Sequence, residues 1–157
     1  MKIYFAGAEN IPMLKNLIEA GAKNVLMSYY YLKESGVENI KDWLSSNGID
    51  IGNLSIYLDC GAFTAWTQGK EIDLQSYIEF IKLNKDYLTA YSALDDKNST
   101  EKTKENLKVM EDPDDDRAWI YYSFNDGQRN YLQASHYDWK PIPIREDRRY
   151  TPIDRVF

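Results

Sequence analysis

The stretch "LDCGAFTAWTQGK", residues 58–70, sets an acid, a small side chain and a glycine directly after an apolar run. The preceding "LSIYLD" (54–59) is almost wholly apolar, the pattern of a strand covered on both faces. Asp59 then closes the strand. Gly61 lets the backbone turn sharply and come close to a ligand. Phe63 and Trp66 follow, two large rings able to wall a pocket and stack on a flat base. An acid followed by glycine also serves as turn and helix-cap chemistry, so the stretch alone leaves both readings open.

Outward from this stretch the chain alternates strand and helix. "KIYFA" (2–6) reads as a short strand. Asn10 caps a helix with Pro12 in its first turn, and Leu14, Leu17 and Ile18 fall at helical spacing. "NVLMSYYYL" (24–32) reads as the next strand, whose Tyr29, Tyr30 and Tyr31 would face alternate sides. Val37, Ile40, Trp43 and Leu44 mark a second helix. Asp73 caps a third, with a buried stripe of Leu74, Tyr77, Ile78, Ile81 and Leu88. "TAYSALD" (89–95) is a fourth strand, and a fourth helix runs over 100–110, capped by Ser99 or Thr100. Repeated strand–helix units mean an α/β fold with a parallel sheet and right-handed crossovers.

Composition shifts after residue 110. Residues 1–110 hold no arginine, whereas 111–157 hold six arginines and a single lysine, Lys140. "AWIYYSF" (118–124) reads as a fifth strand and "NDG" (125–127) as a turn. The two prolines of "KPIPI" (140–144) demand extended chain. The chain therefore divides into a βα-repeat region, 1–110, and a divergent C-terminal segment, 111–157, packing on or extending the same domain.

Bulk features narrow the function. The 157 residues include one cysteine, Cys60, and one histidine, His136, so an internal disulfide and a cysteine-rich metal site are excluded. No metal and no cofactor is expected. The net charge of −6 argues against a broad nucleic-acid surface held by charge alone. No run is long enough to span a bilayer, and the cysteine usage fits a cytoplasmic protein.

In parallel α/β folds, chemistry gathers at the carboxyl ends of the strands. Those ends supply Glu9, the tyrosine run with Tyr30, Asp59, and the pair Asp95 and Asp96. Neighbouring strands about 5 Å apart bring Asp59 and Asp95 to one rim. Two such carboxylates can grip a ring through its N–H donors, or share a proton and raise one pKa.

"LDCGAFTAW" resembles the "DSGGF/DSGAF" signature of the tRNA-guanine transglycosylases, above all members encoded by bacteriophages. "MKIYFAGAEN", "AGAKNVLMSYYYLK" and "KDYLTAYSALDD" are similar to the corresponding segments of those phage proteins, in the same order over about residues 1–110. The resemblance implies a TIM barrel. It implies base contacts, with a catalytic role, for Asp59 and Asp95, and a pocket lined by the backbone of Cys60, Gly61 and Ala62. A full barrel takes eight units and about 250 residues; four clear units here imply a truncated, half-barrel form. No segment matches the family's nucleophile or its zinc site.

The expected ligand is a purine-like base or nucleotide, free or within tRNA or DNA, in a phage-infected host. One expectation is exchange of a guanine-like base. The alternative is a non-catalytic phage binding protein that sequesters a ligand or inhibits a host defence protein. A weaker alternative is a nucleoside deoxyribosyltransferase, whose openings resemble "KIYFAG". A half barrel would leave open sheet edges, to be covered by the C-terminal segment or paired in a homodimer; a host protein partner belongs to the non-catalytic alternative.

Overall fold

The computed structural model of the chain describes residues 3–96, 99–110, 119–121 and 133–134. The turn at 125–127, the extended 140–144 and the C-terminal arginines lie outside them, as does His136.

The described chain mixes helices with a parallel sheet, the α/β class. In order come α1 (Ile11–Glu19), β1 (Asn24–Ser28), α2 (Tyr29–Glu34), α3 (Ile40–Ser46), β2 (Ser55–Asp59), α4 (Ala62–Thr67), α5 (Leu74–Asn84), β3 (Leu88–Ser92), α6 (Thr100–Met110), β4 (Trp119–Tyr121) and β5 (Gln133–Ala134). Strands β1 to β4 pair in chain order and in parallel, while β5 runs antiparallel to β4. Among the described residues nothing joins the two outer edges, so the sheet is open.

Helix starts follow from side-chain caps. Asn10 accepts the Met13 N–H at 3.0 Å, Asn39 that of Asp42 at 3.1 Å, and Asp73 that of Ser76 at 2.8 Å. At α6 the cap is Ser99, whose hydroxyl accepts the Lys102 N–H at 3.1 Å. The core lies between sheet and helices, where Val25, Met27, Ile56, Leu58 and Tyr91 meet Leu14, Leu44, Tyr77 and Ile81.

Four local readings of the sequence are corrected. The first strand contracts to one bridge, Phe5 to Val25, held by two backbone hydrogen bonds. The second strand stops at Ser28, and Tyr29–Tyr31 begin a helix. Ser28 pairs with Asp59, the last residue of β2, so the ladder has no partner beyond that point. As a helix, the run buries Tyr29 against Tyr77 and Phe80, with ring centroids 4.8 and 5.0 Å apart. Leu88 belongs to β3, not to the preceding helix. Asn84 ends that helix: fully buried, it accepts the Ile40 N–H at 2.7 Å and donates to Glu38 O and Phe80 O, each at 2.9 Å. Lastly, the strand read over 89–95 ends at Ser92, so Asp95 lies beyond it; the six-residue α4, which no reading anticipated, follows Gly61 with no side-chain cap to announce it.

Gly61 takes φ +76°, and a Cβ there would fall 2.5 Å from Ser28 Oγ and 2.6 Å from Tyr30 Cβ. The glycine is thus required by the protein's own packing. Gly48 has a similar φ, +75°, but open space around it. Replacing Gly48 with alanine should therefore cost about 1 kcal/mol, the left-handed strain alone. Gly61→Ala adds an overlap with neighbouring atoms and should cost about 3 kcal/mol. Urea unfolding of both variants at one pH measures the difference.

Candidate functional site

The carboxyl ends of β1, β2 and β3 carry Ser28, Asp59 and Ser92. Parallel register aligns Ser28 with Asp59. Across the other gap, the Ser92 hydroxyl accepts the Cys60 N–H at 2.9 Å and hydrogen-bonds the Asp59 carboxylate. Asp59 Oδ2 also accepts the Gly61 N–H at 2.9 Å. This half-buried carboxylate therefore fastens the turn out of β2 to the end of β3. Burial raises its pKa, and the hydrogen bonds from Gly61, Ser92 and Cys60 oppose that rise.

Asp95 lies three residues beyond β3 and lines a cleft of about 780 Å³. Its walls come from α4 (Ala62, Phe63, Ala65, Trp66), the segment Lys70–Leu74, the strand exit Leu94–Asp96, and α6 (Lys102, Thr103, Asn106). Phe63 is 74% exposed and Trp66 45%, and their rings meet edge to face at 5.8 Å. Asp59, Cys60, Gly61, Glu9 and Tyr30 are not among the lining residues.

Each of those five has another position. Tyr30 is buried in α2 and donates to Gln68 Oε1 at 2.7 Å, with Lys70 Nζ over its ring at 5.5 Å. Cys60 is buried, and its thiol is pushed up to about 12 by burial, with Asp59 and Asp95 adding. Such a thiol is protonated at neutral pH and is a poor nucleophile. Glu9 is half-buried, with Oε2 enclosed and without a hydrogen-bond partner among the described residues. Ser28 Oγ is likewise enclosed and unbonded. The backbone of Gly61 is committed to the turn, and Asp59 to its staple.

Electrostatically the two acids remain coupled. Asp95 is exposed as a residue, yet the atoms crowded around its carboxyl and then the charge of Asp59 push that group up to about 7. Tyr57, two residues before Asp59 on the same strand face, is raised by burial and by both acids. The cleft is acidic besides: Glu71, Asp73, Asp95 and Asp96 outnumber Lys70 and Lys102. Both lysines are already paired, Lys70 with Glu34 and Lys102 with Asp96 at 3.2 Å.

Sequence reading missed Ser28, Ser92, Thr103 and Asn106. The first two had a visible signal: "NVLMS", "SIYLD" and "LTAYS" all end in a short polar residue. Among the described residues no set of three His, Cys, Asp or Glu is placed to hold a metal ion. No helix among them is long and apolar enough to cross a membrane.

Compared with known proteins, the chain matches no family model, no curated protein and no solved structure.

The raised Asp95 pKa has a consequence for stability. Between its ordinary value, 3.8, and about 7, the folded chain keeps a proton that the unfolded chain has lost. Stability from this group is therefore full below the lower value and falls as pH rises through that window. Asp95→Asn removes the effect, so the variant should gain relative to the parent as pH rises from 4 to 8. Asp95 retains solvent contact, which limits the gain to about 1 kcal/mol by screening. Thermal melts of both proteins at pH 4.5 and 8 test the sign.

Proposed function

We propose that the chain binds a planar, base-like ligand in the cleft between α4 and α6, with Asp95 accepting hydrogen bonds from ring N–H groups. One observation carries this reading: Asp95, an acid close enough to Asp59 to feel its charge, lines a cleft of about 780 Å³ that two exposed aromatic rings, Phe63 and Trp66, also line. Such a combination is uncommon without a ligand to justify it, because structural acids usually gain partners that lower their pKa. Phe63 and Trp66 supply ring faces for stacking. Asp59 acts from behind the wall, as the charge that tunes Asp95.

Within this reading the sheet is a half barrel akin to that of the transglycosylases. Sequential parallel order β1–β2–β3–β4 is what successive βα units of a barrel produce, since right-handed crossovers keep adding to the same side. The excess of carboxyls in the cleft disfavours a phosphate, so the ligand is a free base or nucleoside in preference to a nucleotide or a nucleic-acid backbone. Binding is favoured over base exchange, because the Asp59 carboxylate is tied into its turn and the Cys60 thiol is buried. In that form the protein acts by sequestering its ligand.

Titration calorimetry with guanine, guanosine and guanosine monophosphate tests the reading at pH 6 and 8. Guanine or guanosine should bind, with the monophosphate at least tenfold weaker from repulsion worth about 1.4 kcal/mol. Asp95→Asn should weaken binding by about tenfold or more, the loss of one charge-assisted hydrogen bond. Labelled guanine exchanged into tRNA, DNA or nucleoside would show turnover and replace sequestration with catalysis. No binding of any of the three ligands would end the proposal.

A further inference from the structure

Helix α6 lines the same cleft as α4, and two of its residues hold the chain on either side of Asp95. The Thr103 hydroxyl accepts the Asp96 N–H at 2.9 Å. Asn106, one turn further along, donates from Nδ2 to the Leu94 carbonyl at 2.9 Å. Met110, a turn beyond, takes the Leu94 N–H on its sulfur at 3.4 Å. Thr103 and Asn106 line the cleft, and they are 1% and 9% exposed. The peptide groups flanking Asp95 are thus bracketed by a single helix face.

The bracket also fixes the Asn106 amide. A backbone carbonyl only accepts, so the NH2 group must face Leu94. Oδ1 is left on the other branch of the amide, and no hydrogen bond from a described residue reaches it. A rigid, largely buried acceptor therefore stands in the wall of the cleft beside the strand exit that carries Asp95.

We propose that Asn106 is a ligand-reading residue: its Oδ1 and the Asp95 carboxyl form two acceptors, selecting a ring with two adjacent N–H donors on one edge. This rests on the base-binding reading above. A ring lacking either donor would leave a desolvated acceptor unmet, which is how polar sites discriminate strongly between near-isosteres. Thr103 differs in role, because its hydroxyl is spent on the Asp96 backbone and on the Ser99 carbonyl, at 3.1 Å. It positions Asp95 without reading the ligand.

Calorimetry of the full chain with guanine, 1-methylguanine and hypoxanthine provides the test. Guanine offers both donors, and each of the other two lacks one. The unmodified protein should bind guanine at least about tenfold tighter than either analogue. Asn106→Ala should bring guanine and hypoxanthine within about twofold of each other, whereas Thr103→Val should weaken both and keep their ratio. If Asn106→Ala fails to fold, Asn106→Ser with the same ligands replaces it. The unmodified protein's own ratios decide independently: equal affinity for the three rings overturns the proposal. Preserved discrimination in the Asn106 variant also overturns it, while leaving base binding intact. Failure of the unmodified protein to bind any of the three would instead defeat the base-binding reading itself.

Discussion

Parallel pairing, in step between β1 and β2 and with one register shift at Ile56/Tyr57 between β2 and β3, makes the three strands finish at one level, and the rest of the site follows from that. Ser28 stands beside Asp59, and Ser92 reaches across to Cys60 and Asp59. The chain leaving β2 has almost no room, because Ser28 Oγ and Tyr30 Cβ occupy the space a side chain at 61 would need. A left-handed glycine is the residue that passes. Asp59 holds the turn in place through the Gly61 N–H, and α4 starts at once, carrying Phe63 and Trp66 outward. One steric constraint thereby sets where the aromatic wall of the cleft stands.

The same geometry separates two acids that look equivalent in the sequence. Asp59 is a strand-terminal residue with its carboxylate spent on neighbouring N–H and O–H groups. Asp95 lies three residues past β3, and the backbone on either side of it is held by α6. Its carboxyl is left to the cleft. Coulomb repulsion still joins the pair, since a charge on Asp59 makes a second charge on Asp95 costly in a partly desolvated setting.

Much of the fold was legible because its signals are local. Asn10, Asp73 and Ser99 cap helices through bonds spanning three residues; the first two were readable from side chain and spacing, and the third was narrowed to Ser99 or Thr100. Strand β2 and helix α6 fell where apolar runs and caps placed them. What escaped depends on partners distant in sequence. The tyrosine run has strong strand propensity, yet it coils because β2 ends opposite Ser28 and because Tyr29 finds Tyr77 and Phe80. Asn84 reads as an ordinary helix-end polar residue until Ile40 and Glu38, more than forty positions earlier, arrive to bond it. In the site, Asp95 and the aromatics were visible as types at strand ends. Thr103 and Asn106 were not, since nothing in "TKEN" reveals which backbone groups a helix face will meet.

Asp73 and Asp95 show how differently one residue type is treated in the same cleft wall. Asp73 caps α5, and the Ser76 N–H and hydroxyl lower its pKa. Its charge is welcome, and the helix gains from it. Asp95 receives no such help: burial and Asp59 both raise it. At neutral pH it weakens a domain whose margin of stability is a small difference between large terms. Two residues of α6 nevertheless bracket its backbone, and the cleft it lines mixes apolar side chains with further acids. Folding alone gives no reason to keep an acid beside Asp59, since an asparagine there would remove the repulsion. A ligand that supplies N–H donors would stabilise the charged form and offset the repulsion on binding, which makes the site's instability and its selectivity two consequences of one arrangement.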